Sequence, residues 1–96
     1  MKRIIIDAIA RKLVLSFKYD GIARMVEPHT VGVSRAGNEV MRAYQIDGGH
    51  INPNHDWVLC ELKKIMELKV TEKFFIGPRS GYRRGDAHMI SIFAEL

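Results

Sequence analysis

The sequence predicts a mainly β (α+β) fold: a small, strongly bent five-stranded barrel with an N-terminal and a C-terminal helix. Three observations point there. Residues 13–19 alternate, with Leu13, Leu15, Phe17 and Tyr19 on one face and Val14, Ser16 and Lys18 on the other, as a half-buried strand does. Asp20-Gly21 then separates this run from a second extended segment, and Asp-Gly suits a tight hairpin turn whose two central residues need positive φ. Further short β-rich runs follow between clusters of Gly, Pro, Asn and Asp, and short strands in so small a chain hide their edges best by curling into a barrel.

The elements follow in order. Ile5, Ala8, Ile9 and Lys12 recur at helical spacing, which predicts a short amphipathic helix over residues 3–12 that depends on tertiary packing to persist. Strand 13–19 and the Asp20-Gly21 turn lead into an extended arm, 23–34. Pro28 has no N–H for a ladder bond, so the arm should bend, bulge or run along an edge at Glu27-Pro28. Arg35-Ala36-Gly37-Asn38 reads as a second hairpin loop and 39–46 as a third strand. A polar loop runs from Asp47 to His55, a fourth strand from Trp57 to Leu62, and a helical turn covers 63–65. Residues 68–71 give a short fifth strand. The stretch 77–82 is irregular, and Asp86 is placed to cap a last helix bearing Met89, Ile92, Phe93 and Leu96.

Ninety-six residues suit a single domain spanning 1–96. Such a chain buries roughly 60–70% of its unfolded surface, enough for one core but not for two lobes around a substrate cleft. Fifteen Lys and Arg face 11 Asp and Glu, a net charge of +4 that favours anionic partners. One cysteine, Cys60, leaves no internal disulfide framework, and no apolar run approaches the ~20 residues of a membrane helix, so a cytoplasmic location is expected.

No catalytic residues are expected. The serines have no nucleophile-elbow setting, no phosphate loop is present, and no pair of carboxylates stands isolated among apolar residues. His29, His50, His55, His88, Asp56 and Cys60 carry metal-ligating atoms, but there is no Cys-x-x-Cys pair and no His pair at i, i+4, so neither a metal nor another cofactor is expected. Trp57, Phe74, Phe75 and Phe93 read as core, as does Cys60.

Several segments, in order, resemble the WYL domain, a bacterial regulatory module named for a Trp-Tyr-Leu triplet. They are Ala8-Ile9-Ala10-Arg11-Lys12-Leu13, Phe17-Lys18-Tyr19-Asp20-Gly21, Arg24-Met25-Val26-Glu27-Pro28-His29, Gly32-Val33-Ser34-Arg35, Met41-Arg42-Ala43-Tyr44 and Leu62-Lys63-Lys64-Ile65. The triplet itself is replaced by Glu39-Val40-Met41, and a family arginine position late in the fourth strand falls at Glu61. The resemblance implies a small Sm-like five-stranded barrel with an N-terminal helix. It also implies a sensor role in bacterial transcriptional control, often of phage defence, through binding of nucleic-acid fragments or nucleotide-like ligands.

On that basis Arg35, Arg42 and Lys64 fall on the family's basic positions. Arg42 and Lys64 are expected to hold the phosphate, Arg42 foremost, with Arg24, Arg35 and His29 lining the same side and Tyr44 offering a ring. Guanidinium suits this role because its planar fork of donors matches phosphate oxygens. The loop Arg79-Ser80-Gly81-Tyr82-Arg83-Arg84 is a further candidate for nucleic-acid contact: Arg79, Arg83 and Arg84 would meet phosphates and Tyr82 a base. The bland reading of all these residues is outward side chains paired with nearby glutamates, and for the loop a solvated connector. The expected function is a non-enzymatic ligand-sensing module for single-stranded nucleic acid or a nucleotide, acting alone or with a separate DNA-binding subunit. The alternative is a protein-interaction module that pairs, as a homodimer or with a partner, through an exposed barrel edge.

Overall fold

The computed structural model describes residues 1–49 and 56–96. Helix α1 (Lys2–Arg11) is followed by strands β1 (Leu13–Tyr19), β2 (Ile22–Ser34), β3 (Glu39–Gly48) and β4 (Trp57–Glu61). A 3-10 turn at Leu62–Lys64 precedes β5 (Met66–Phe74) and β6 (Met89–Glu95). The part of the predicted polar loop at 50–55, with His50 and His55, lies outside the described residues.

The local signals act where the sequence places them. Ile5, Ala8 and Ile9 form the buried stripe of α1, and the helix stops at Lys12, which adopts the left-handed conformation and donates its N–H to the carbonyls of Ala8 and Ile9. Asp20 and Gly21 both have positive φ, 54° and 72°, and join β1 to β2 in register from Tyr19↔Ile22 to Leu15↔Val26. At Pro28 the β2–β3 ladder shifts register, so of the three outcomes left open there the structure takes the bulge.

All pairings are antiparallel, in the order β4-β3-β2-β1-β5, with β6 on β2 beyond the end of β1. Five strands laid flat at ~4.8 Å spacing would hold β4 and β5 roughly 19 Å apart. Yet only residues 62–65 separate those two strands in the chain, most of them in a tight 3-10 turn. The sheet therefore curls hard. The Tyr19 hydroxyl at the end of β1 accepts the Glu61 N–H of β4 at 3.0 Å, although β2 and β3 stand between those strands in the order.

The curl encloses one core. Leu13, Leu15, Phe17, Val26, Val31, Met41, Ala43 and Cys60 line the inner face, and Ile5, Ala8 and Ile9 of α1 cover it.

Three expectations are corrected. The C-terminal segment is strand β6, not a helix. Met89, Ile92, Phe93 and Leu96 have helical spacing, but β1 pairs with β2 only as far as Val26 and leaves Thr30–Ser34 with an open edge. β6 satisfies those backbone groups, and the β-branched Ile90 and Ile92 suit a strand. The sheet therefore has six strands rather than five. Finally, it is not closed, because no pairing joins β4 to β5 among the described residues. The short strand expected at 68–71 extends over Met66–Phe74, following β1 along its length.

Candidate ligand-binding groove

Cross-strand register decides which side chains share a face. On β2, Glu27 and His29 project away from the core. Their neighbours on β3 are Tyr44, opposite Glu27, and Arg42, opposite Thr30. Trp57 on β4 stands opposite Tyr44. This second face is not open to solvent, because the segment 75–88 between β5 and β6 crosses it as a strap.

His29 anchors the strap. It is fully buried, with its ring 4.8 Å from Trp57, 5.1 Å from Tyr82 and 5.9 Å from Phe75. The Arg79 backbone N–H donates to Nε2 at 3.1 Å, so that nitrogen carries no proton. Nδ1–H then donates to the Glu27 carbonyl at 2.8 Å. Burial pushes the imidazole pKa down, outweighing the opposing pull of the Glu27 carbonyl and carboxylate, and His29 is the neutral tautomer.

The guanidinium of Arg79 grips the Glu27 carboxylate through two bonds, 2.8 and 3.0 Å, and lies 4.6 Å from the Tyr44 ring centre. The Tyr82 hydroxyl accepts from Thr30 Oγ1 and donates to the Leu96 carbonyl. Arg42 pairs with Asp86 at 2.9 Å and donates to Nδ1 of His88 at 3.0 Å. Burial works against the charge on Asp86, but hydrogen bonds from Arg42 and the His88 N–H hold its carboxyl below the ordinary range. Arg84 pairs with Glu95, and Arg35 donates to the Ala87 carbonyl.

Between the strap and the β3–β4 face lies a groove of about 560 Å³, lined chiefly by Arg42, Trp57, Tyr82, Arg83, Arg84 and His88. Three guanidinium groups meet one carboxylate, that of Asp86, in the lining. The Trp57 and Tyr82 rings lie 6.4 Å apart and within 21° of parallel. Arg83 is exposed and takes part in no ion pair among the described residues. This arrangement offers cationic forks for oxyanions beside flat aromatic faces.

The residues expected on one shared side are thus divided. Arg42 joins Tyr82, Arg83 and Arg84 in the groove, with Tyr44 and Arg79 beside it and Arg35 tied to the same strap. His29 lies beneath, as an anchor. Lys64 is elsewhere, paired with Glu61 at 2.7 Å beyond β4. Arg24 faces the core side of the sheet, opposite Phe17. The loop 79–84 is not a free connector, because Arg79 and Tyr82 are bonded to β2 and Arg84 to β6.

Trp57, read as core, is a groove residue. The sequence pattern did not mark it, because its place directly across from Tyr44 is set by the β3–β4 register. Asp86, read as a helix cap, accepts the His88 N–H in a turn and serves as counter-ion to Arg42. Among the described residues no group of three or more His, Cys, Asp and Glu side chains is placed to hold a metal. Comparison with models of protein families, with curated proteins and with solved structures finds no match.

Proposed function

We propose that this chain is a non-enzymatic regulatory module that senses an anionic ligand, a segment of single-stranded nucleic acid or a nucleotide, in the groove under the strap. The observation that carries this reading is the convergence of Arg42, Arg83 and Arg84 with Trp57 and Tyr82 around one hollow. Phosphate oxygens would take the guanidinium forks while a base extends the Trp57–Tyr82 stack. The order β4-β3-β2-β1-β5 behind an N-terminal helix is compatible with an open, Sm-like barrel with one added strand. With the WYL-like segments, this supports a role in bacterial cytoplasmic transcription control, phage defence included.

Fluorescence anisotropy of a labelled oligonucleotide across a salt series tests the reading. Affinity should fall steeply with salt, and Arg83→Ala should reduce the log–log slope by about 0.7 for each phosphate that Arg83 neutralises. Arg83 leaves no carboxylate unpaired, so its removal reports on ligand rather than folding. Arg42→Ala should weaken binding further. Salt-independent binding, or binding unchanged in both variants, overturns the assignment.

One observation favours a second reading. β5 ends the sheet and has no partner on its outer side among the described residues. It exposes Met66, Val70 and Phe74, the last at 67%. An open edge that carries exposed apolar side chains suits pairing with another copy or a partner strand. Light scattering should then give a dimer that Val70→Lys dissociates. A monomer at all concentrations, unaffected by that substitution, excludes self-pairing.

A further inference from the structure

Arg24 is a buried cation without a counter-ion. It is 6% exposed and sits on the core side of the sheet, between Phe17 on β1 and Gly48 on β3. The groove described above lies on the other side.

No acidic side chain of the protein neutralises it. The chain has 11 acidic residues, all at described positions, and none forms an ion pair with Arg24. The segment 50–55 reads His-Ile-Asn-Pro-Asn-His and contains no acid. Burial pushes the Cys60 thiol up to about 11 despite the nearby guanidinium, so it supplies no thiolate. Tyr19 is likewise raised by burial and stays a neutral phenol.

The neutral partners are weak or incomplete. Gln45 accepts one Arg24 N–H through Oε1 at a long 3.4 Å, while its own amide is tied to the Gly49 carbonyl at 2.9 Å. The guanidinium carbon lies 5.5 Å from the Tyr19 ring centre. Nε is buried and has no hydrogen-bond partner among the described residues. A buried guanidinium in this condition is costly, and donors of this kind are satisfied in nearly all folded proteins. Gly48, its neighbour across β3, brings no side chain to this face.

We propose that Arg24 is the seat of a second anion site, in which one oxyanion, a phosphate or a carboxylate, accepts the orphaned Nε–H and supplies the missing charge. The Gln45 amide, held by Gly49, and the Tyr19 ring border it. Arg fits such a group better than Lys because Nε–H and a terminal N–H present parallel donors to two oxygens. The site is independent of the groove, so failure of oligonucleotide binding there leaves it standing.

The test follows the arginine Nε–H resonances of the full chain by NMR, with that of Arg24 assigned through bonds. Inorganic phosphate and acetate are titrated separately at constant ionic strength. Arg24 Nε–H should shift along a saturating curve with at least one of them, and which one responds identifies the oxyanion class. Thermal melting gives a second readout: the same anion should raise the wild-type midpoint more than that of Arg24→Met, which keeps the apolar stem and removes the charge. A resonance that stays still with both anions overturns the proposal, whether or not the variant folds. Equal midpoint gains in wild type and variant overturn it as well.

Discussion

His29 shows how one side chain can hold a whole segment. Both ring nitrogens are committed, one accepting from the strap at Arg79 and one donating within β2 to Glu27. Protonation would put a second donor against the Arg79 N–H inside an aromatic cage. Because the folded pKa lies below the ordinary 6.5, the unfolded chain binds the proton first. Stability contributed by His29 is therefore full above about pH 6.5 and is lost as pH falls below it, at no more than about 1.4 kcal/mol per pH unit. Urea denaturation between pH 7 and 5 should show this loss, and His29→Phe should flatten it. A flat wild-type profile would mean that His29 is not the neutral anchor described. Sequence pattern marked the Glu27-Pro28-His29 segment but assigned His29 to the ligand. The bulge at Pro28–Thr30 shifts the phase of alternation, so the face on which His29 emerges cannot be counted from either end of β2.

At the scale of elements, β2 organises the molecule. Its first half pairs with β1, its second half with β6, and nearly all of its length with β3. Gly32 is where β6 comes closest. A Cβ there would strike the Ser91 carbonyl oxygen, a backbone atom that can retreat only if β6 leaves the sheet. Gly32→Ala should cost about 3 kcal/mol or more by chemical denaturation. Gly77→Ala, where a Cβ meets nothing within 4 Å, should be near neutral. Equal effects at the two sites would show that β6 does not pack as described. The helix expected in place of β6 illustrates the limit of periodicity: four apolar residues fit a helical stripe, but an open backbone edge on β2 outweighs that local preference.

For the whole molecule, the curl brings chain-distant groups together on two sides. Inside, Ile5, Ala8 and Ile9 of α1 share one core with residues of β1 to β4, and Cys60 is buried with them. Outside, the strap brings Arg83 and Arg84 to within one groove of Arg42, more than 40 positions earlier. The net charge of +4 is spread rather than massed, since Arg42, Arg79, Arg84 and Lys64 all have carboxylate partners. Surface pairs of this kind are weak, so a phosphate can compete for exposed members such as Arg84.

Local chemistry written in the sequence determined the N-terminal helix, the Asp20-Gly21 hairpin, an irregularity of the arm at Pro28 and the inner stripe of β1, because each depends on residues close along the chain. Only the tertiary structure decided that the last segment is a strand, that the strap crosses the second face, and that Arg24 and Arg42 part to opposite sides. Those outcomes depend on which backbone edges remain unpaired and on where a bulge changes the facing of side chains, and both are set by strands that meet only after the chain has folded.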